Sequence, residues 1–214
     1  MINIMTRISF KILFVLCILV MPIKAQDVLH YYFRTLDIRN GLSQNTVNTI
    51  LQDRKGFMWF GTKDGLNRFD GLSFRVFKRE DTKLGNNIIT ALFEDKDGNI
   101  WVGTDAGVYI FNQVSEQFTA FDKISNTGCS IKRAVTLIAP DEKGNIWISS
   151  DYDGLFCYDT KSAKLFSYLH RTGTANVTRF WFENNISWVA LYADNLYYTN
   201  KTFNSTLHPF VDSD

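Results

Sequence analysis

The 214-residue sequence predicts an all-β protein, and three observations lead to this prediction. Three segments of similar sequence occur at 56–71, at 98–112 and at 144–159. The tryptophans that anchor them, and a fourth further on, are 42, 46 and 41 residues apart: Trp59, Trp101, Trp147 and Trp188. Each unit contains short alternating runs of apolar and polar residues between glycine turns, which is typical of strands. Four-stranded units with a period of about 40–45 residues are propeller blades, so we predict a partial β-propeller of about four blades.

Other residues recur at fixed distances from the tryptophans. In the first three units an aspartate lies six positions before the tryptophan and a glycine three before it, and a second glycine follows. The aspartate opens a turn and the glycine closes it. We expect the tryptophans to pack between blades, where each buries about 150–250 Å². The predicted structural residues are Asp53, Gly56, Trp59, Gly65, Asp95, Gly98, Trp101, Gly107, Asp141, Gly144, Trp147, Gly154 and Trp188.

The strand pattern sets the predicted blade boundaries. The first blade reads as "VNTILQD", "FMWFGT", "GLNRFD" and "FRVFK", and the next units repeat this order. Helix pairs can share the period, but no helical pattern of 10–15 residues is present. The stretch 31–47 aligns with 73–89, which indicates an outer strand that precedes the first complete blade. We therefore predict an outer strand and lead-in loop at 26–46, blade 1 at 47–86, blade 2 at 87–134, blade 3 at 135–176 and a degenerate, truncated blade 4 at 177–214.

Residues 1–25 have the pattern of a secretory signal peptide. Arg7 and Lys11 precede the ten-residue apolar run 12–21, and Ala25 ends the segment. The run is shorter than the ~20 residues that span a bilayer, and no later stretch is apolar enough to do so. We expect cleavage after Ala25 and a periplasmic product with no membrane span.

Charge and cysteine content narrow the function classes. Removal of 1–25 takes away three basic residues, so 20 Lys+Arg face 22 Asp+Glu and the formal net charge falls from +1 to −2. A near-neutral chain lacks the basic footprint of a nucleic-acid-binding protein. Cys129 and Cys157 could pair in an exported protein, but two cysteines do not make a disulfide framework, and unpaired thiols are the favoured interpretation.

The motifs predict no catalytic site, metal or cofactor. The stretch "EDKDGNIW" (94–101) starts like a calcium loop, but Ala106 stands where the loop requires a glutamate. The three histidines, His30, His170 and His208, are far apart and share no motif with a nucleophile or a metal ligand.

A ligand would be expected on the loops that lead into the first strand of each blade, because the scaffold positions are used by the fold. These loops are rich in asparagine, glutamine, serine and arginine, which suit sugar hydroxyls. The alternative is that the same side chains cap turns. Trp181 is added because it is out of register with the repeat on a predicted first strand. The candidates are Arg39, Asn40, Gln44, Asn45, Asn86, Asn87, Arg133 and Trp181.

The segment "NGLSQNTVNTILQDRKGFMWFGTKDGLNRFDG" (40–71) resembles the N-terminal part of the periplasmic sensor region of hybrid two-component systems from Bacteroides and their relatives. Their blades are called two-component regulator propeller repeats. The resemblance covers 31–168 well and 177–203 weakly. It rests on Asn40, Gly41, Leu42, Ser43, Gln44, Asn45, Asp53, Gly56, Trp59, Gly61, Thr62, Gly65 and Leu66.

The resemblance implies a sensor of oligosaccharides that regulates polysaccharide utilisation. Full-length members are anchored in the inner membrane and carry a histidine kinase, of which this chain has no signature. We therefore expect an N-terminal fragment with three or four blades and no catalysis, whose open edges pack on further blades or on a second chain. A propeller-type carbohydrate-active enzyme and an interaction scaffold without a small ligand are the competing hypotheses.

Overall fold

The computed structural model describes residues 32–125, 130–168, 177–183, 186–191, 196–199 and 208–209. The chain divides into two units, Met1–Thr35 and Leu36–Asp214, and the second contains every described strand. The predicted signal peptide, 1–25, lies outside the described residues, as does Cys129. No helix among the described residues is long and apolar enough to cross a membrane.

The described strands of the second unit form four antiparallel sheets of four strands, each sheet in simple chain order. This confirms the predicted all-β fold of four blades. Blade 1 consists of β1 (Val47–Gln52), β2 (Met58–Thr62), β3 (Gly65–Phe69) and β4 (Phe74–Phe77); blade 2 of β5 (Ile89–Glu94), β6 (Ile100–Thr104), β7 (Gly107–Asn112) and β8 (Gln117–Ala120); blade 3 of β9 (Val135–Pro140), β10 (Ile146–Ser150), β11 (Gly154–Asp159) and β12 (Lys164–Ser167); blade 4 of β13 (Val177–Glu183), β14 (Ile186–Leu191), β15 (Leu196–Thr199) and β16 (His208–Pro209). Two short 3-10 turns, Ile38–Asn40 and Phe121–Lys123, lie between strands or before them.

The turn between the first two strands of blade 1 is held by one buried carboxylate. Oδ1 of Asp53 accepts hydrogen bonds from the main-chain N–H groups of Lys55 and Phe57, at 3.0 and 2.9 Å. Its Oδ2 accepts a hydrogen bond from Nε1 of Trp59, at 2.8 Å. Since the carboxylate is only 4% exposed, these bonds satisfy an otherwise costly buried charge. The same group therefore closes the turn and fixes the orientation of the indole.

Blades 2 and 3 repeat this arrangement. Trp101 donates to Asp95 at 2.9 Å, and Trp147 donates to Asp141 at 3.0 Å. In all three turns the glycine three positions before the tryptophan has φ between 82 and 89°, a conformation that side chains with a Cβ rarely adopt. Blade 4 departs from the pattern, because Glu183 is exposed and Trp188 is only half-buried.

The tryptophans form the packing between successive blades. The Trp59 ring lies 5.4 Å from that of Phe111 in blade 2, and Trp101 lies 5.7 Å from Tyr158 in blade 3. Trp147 contacts Phe182 of blade 4 at 5.4 Å between ring centroids. Each of the three apolar clusters thus combines residues of two neighbouring blades. The core of the protein lies between the sheets, as predicted for a propeller.

Near the first strands, neighbouring blades approach each other so closely that only glycine fits at the contact. A Cβ on Gly61 would lie 2.6 Å from Cγ2 of Ile89 in the next blade, and one on Gly103 would lie 2.7 Å from Cγ1 of Val135. Both distances are shorter than any real Cβ contact. The second strand of one blade therefore packs by its backbone against the first strand of the next.

A polar residue at a β-bulge links the first strands of two pairs of neighbouring blades. Each first strand has one extra residue next to its start, and these residues are Asn48, Thr90, Thr136 and Thr178. Nδ2 of Asn48 donates to the carbonyl of Ile89 at 2.8 Å, and Oγ1 of Thr136 donates to that of Val177 at 3.3 Å. Both acceptors are the first residue of the next blade's first strand. The bulge, which re-aims a side chain, here forms a bond between blades.

One face of blade 1 differs from its counterpart in blade 2. We define the leading face as Met58, Phe60, Phe69 and Phe74, which are half-buried. The residues at the same register in blade 2 are at most 3% exposed, because blade 1 packs on them: Ile100, Val102, Phe111 and Phe118. The leading face therefore has the composition of a blade interface.

The outer strand predicted before blade 1 is not formed by the described residues 32–37. Ile38–Asn40 instead form a 3-10 turn, which Asp37 caps by accepting a hydrogen bond from the Arg39 N–H at 2.9 Å. A strand needs a neighbour to hydrogen-bond with, and the third strand of every blade is already paired on both sides. The alignment of 31–47 with 73–89 reports sequence pattern and not the presence of a partner strand.

Replacement of Trp101 with alanine should cost about 3–5 kcal/mol of unfolding free energy, because it opens a cavity between blades 2 and 3 and removes the Asp95 bond. Urea unfolding followed by circular dichroism measures this loss. Leu72→Ala is the matched control, since Leu72 is 88% exposed and its removal should change stability little. A loss below about 1 kcal/mol for Trp101→Ala would contradict the packing role.

Replacement of Asp53 with alanine should cost about 2–4 kcal/mol, because the Trp59 indole N–H and two turn N–H groups lose a charged acceptor in a buried site. Asp70→Ala is the control: Asp70 also accepts two turn N–H bonds, but it is exposed and contacts no tryptophan. Equal destabilisation by the two variants would show that the bond to the indole contributes nothing.

Candidate ligand-binding site

The predicted ligand residues before blade 1 are engaged in local hydrogen bonds. The side-chain oxygens of Asn40, Gln44 and Asn45 accept bonds from main-chain N–H groups two to seven residues away, at 2.5–3.0 Å. Arg39 forms an ion pair with Asp37 at 2.6 Å and holds the pKa of that carboxyl below its usual range. The structure thus brings these residues together around one turn, where their oxygens hold the backbone.

The loop before blade 2 shows the same use of its amides. Oδ1 of Asn86 accepts a bond from a main-chain N–H two residues on, at 2.7 Å. Oδ1 of Asn87 accepts the N–H of Arg79 at 2.7 Å, and its Nδ2 donates to the carboxylate of Glu80 at 3.1 Å. This bond lowers the pKa of Glu80. Both asparagines therefore organise the loop that carries them.

The other two candidates lie in separate places. Arg133, in the loop before blade 3, pairs with Asp153 at 3.4 Å, and its guanidinium lies 5.6 Å from the Tyr152 ring centroid. Trp181, in β13, stacks on Trp188 of β14 with ring centroids 5.7 Å apart and planes at 7°. Trp181 thus packs on a tryptophan of the scaffold and does not join the loop residues. Ligand binding by these eight residues stays a prediction.

The pKa of Asp151, in the turn between β10 and β11, is raised by burial and by the nearby Asp105 carboxylate. No three His, Cys, Asp or Glu side chains of the described ranges come together as a set that could hold a metal ion.

A groove of about 420 Å³ lies between blades 2 and 3, next to the turns that follow their first strands. These turns are at the opposite end of the strands from the predicted ligand loops. The apolar part of its lining includes Phe93, Trp101, Ile110, Ile124, Pro140, Ile146 and Tyr158. The polar part includes Lys96, Asp97, Asn99, Asn112, Thr119 and Thr160. A largely apolar cleft of this size with a few polar groups is typical of small-molecule sites.

Hydrogen bonds fix the orientation of the amides along this groove. Nδ2 of Asn112 donates to Oδ1 of Asn99 at 3.0 Å, and Nδ2 of Asn99 donates to the Asp95 carboxylate at 3.1 Å. Across the groove, Oγ1 of Thr160 donates to the Gly144 carbonyl at 3.2 Å. The groove thus offers pre-oriented polar atoms on both of its walls.

None of the groove's polar residues is among the ligand contacts predicted from the sequence. Asn99 and Asn112 occupy turn positions, where an asparagine is ordinarily explained by capping. The bond between turn aspartate and tryptophan is a second feature that the sequence prediction missed. Its signal was available, because the spacing of six residues is constant in the first three blades.

Cys157, whose side chain lies in the core between blades 3 and 4, is a buried free thiol. Burial, assisted by the Asp141 and Asp159 carboxylates, raises its pKa to about 12. The thiolate, which is the nucleophilic form, is therefore scarce at neutral pH, and Cys157 is a packing residue.

Comparison with known proteins begins with the repeats. Residues 41–64 and 83–106 match the family model of the two-component regulator propeller. A stretch of 60 residues, 28% of this chain, is 42% identical to histidine kinase P4 of Formosa agariphila. This stretch is 4% of the length of that kinase.

Solved structures share the blade arrangement. The extracellular domain of a protein named for a hybrid two-component system, from B. thetaiotaomicron, superposes with a TM-score of 0.72 at 24% identity, over 86% of this chain and 27% of that one. The extracellular domain of a protein named for a one-component system, from the same organism, gives a TM-score of 0.66 at 19% identity, over 78% of this chain and 22% of that one. The chain thus spans about a quarter of the length of these structures, and at this identity the likeness shows the fold.

A chain carrying Cys17→Ser and Cys129→Ser should react with Ellman's reagent at pH 8 only after denaturation. Cys157 is then the single thiol, and its pKa of about 12 together with its burial suppresses attack in the folded state. Absorbance at 412 nm should show one equivalent released in guanidinium and almost none without it. Release at the denatured rate from the folded chain would contradict the placement of Cys157 in the core.

Proposed function

Because the chain carries two-component regulator propeller repeats and has the fold of such extracellular domains, we propose that it is the ligand-binding section of an extracellular sensor. The proposal rests on the match of the repeat model to residues 41–64 and 83–106. These segments contain the first two strands of blades 1 and 2 and the turn between those strands. The proposed role is binding without catalysis, as part of a system that regulates the use of polysaccharides.

The proposed ligand is an oligosaccharide. Sugar hydroxyls both donate and accept hydrogen bonds, and asparagine and threonine side chains offer both functions. Such side chains occur on the loops before the blades and along the groove between blades 2 and 3, where they adjoin apolar surface. A sugar ring presents a matching pattern, with polar edges and a less polar C–H face.

We further propose that the protein works outside the cytoplasmic membrane, as the signal-peptide pattern of 1–25 predicts. In that setting the leading face of blade 1 would pack on a further blade or on a second chain. Support comes from its composition, because the equivalent face of blade 2 is fully buried by a neighbouring blade. A near-neutral net charge and a sequence without a basic surface pattern give no reason to propose a nucleic-acid partner.

A glycan array probed with the purified, labelled chain tests the proposed function. We expect binding to a small set of oligosaccharides, with affinities then measured by calorimetry. The same sugars are incubated with the chain and analysed by chromatography, where we expect no change in their length. A folded chain that binds no member of the array would refute the oligosaccharide proposal, and shortened products would refute the non-catalytic role.

A further inference from the structure

The space between blades 1 and 2 is closed by a charged latch, which we define as Arg68, Arg75 and Glu116. Both arginines come from blade 1, and their NH1 groups lie 3.3 and 2.7 Å from Oε1 of Glu116 in the turn between β7 and β8. The Arg68 guanidinium also lies 4.9 Å from the Phe57 ring centroid and 5.7 Å from that of Trp59. The latch therefore covers the blade 1 tryptophan from the outside.

The residues at the same register of the next interface cannot form a latch. Opposite its tryptophan, blade 1 has Arg68, whereas blade 2 has Ile110 opposite Trp101. The next residue across is Arg75 in blade 1 and Thr119 in blade 2. In the turn that faces them, Ala163 of blade 3 occupies the position of Glu116, with φ of 54° against 53°.

The groove lies at the interface between blades 2 and 3, where the latch residues are absent. Ile110 and Thr119 both line it, and Ala163 packs on the apolar cluster beneath. Two long cationic side chains and one carboxylate have thus been exchanged for three short uncharged ones. Blade 3 also has uncharged residues at these positions, Cys157 and Phe166, so the latch is specific to the interface between blades 1 and 2. The groove lies at an interface without a latch, where side chains that the fold does not require are available for binding.

We propose that this groove is the oligosaccharide site and that it holds a neutral hexose unit; this inference rests on the proposed function. The apolar lining formed by Ile110, Pro140 and Tyr158 suits the C–H face of the ring. Asn112 and Thr119 on one wall and Thr160 on the other supply groups for hydroxyls on opposite edges of the ring.

The charged side chains that line the groove favour a neutral sugar unit over an acidic one. Of the charged side chains that line the groove, Lys96 is the single cation, and Asp97 offsets it. The other carboxylate, Asp95, is engaged by the Trp101 and Asn99 side chains and by turn N–H groups. A sulfate or uronate would meet no surplus of positive charge here. The amide oxygens of the loops before the blades accept main-chain bonds, and so does Oδ1 of Asn112, whose Nδ2 is the group left for a ligand. The groove is the preferred candidate because its polar groups adjoin an apolar lining.

Grafting the latch into the groove tests the proposal. The full chain carrying Ile110→Arg, Thr119→Arg and Ala163→Glu should keep its melting temperature within a few degrees, because the same three residues are accommodated between blades 1 and 2. Calorimetry uses neutral gluco-, manno- and galacto-hexasaccharides, with a sulfated hexasaccharide for comparison. We expect the affinity for the neutral ligand to fall by about 100-fold or more. Leu72→Ala is the matched control, since Leu72 is 88% exposed and lies away from the groove, and it should bind within about 2-fold of wild type. The loop variant, Asn86→Ala with Arg133→Ala, tests the competing loop site.

The methyl NMR signals of Ile110 and Thr119 provide a second readout that does not depend on the graft folding. They should shift on addition of the neutral hexasaccharide to the wild-type chain. If the hexasaccharide binds but these signals stay unchanged, or if the loop variant loses binding and the graft does not, the groove assignment is wrong and the proposed function stands. If the wild-type chain binds members of the glycan array but none of the neutral hexasaccharides, this assignment is wrong and the proposed function stands; if it binds no member of the array, both are wrong.

Discussion

The hydrogen bond from an indole to the aspartate of the preceding turn is the interaction on which the fold depends. It fixes a large aromatic ring on the second strand of blades 1, 2 and 3, where the ring packs against the next blade. Trp59, Trp101 and Trp147 are held in this way, and each lies in a cluster shared with the following blade. Because the same carboxylate also closes the turn, the shape of a blade and its contact with its neighbour are set by one group.

A scaffold fixed by so few positions leaves the rest of each blade free to vary. Arg68 and Ile110 occupy equivalent places, yet one supports an ion pair and the other lines an open groove. Neither choice disturbs the tryptophan beneath, whose orientation is set from the turn. Repeat proteins can therefore differentiate one interface from the next without loss of the common architecture.

The sequence predicted the four sheets correctly because period, alternation and glycine turns all act locally. It did not predict that 32–37 would lack a strand, since pairing depends on a partner that no local pattern reports. It singled out Asn45 and Asn86 by composition, which cannot distinguish an amide that caps a turn from one that faces a ligand. The groove was missed because Ile110, Thr119 and Ala163 are ordinary residues that acquire meaning only when two blades are superposed.

The bulge bonds have a mechanical consequence. Asn48 ties blade 1 to blade 2, and Thr136 ties blade 3 to blade 4, whereas the buried hydroxyl of Thr90 has no hydrogen-bond partner among the described residues. Among the described residues, the joint between blades 2 and 3 thus lacks both the hydrogen bond between first strands and the outer ion pairs of the joint before it, and apolar packing holds it. A ligand that bonds to both walls of the groove would supply a polar link between these two blades.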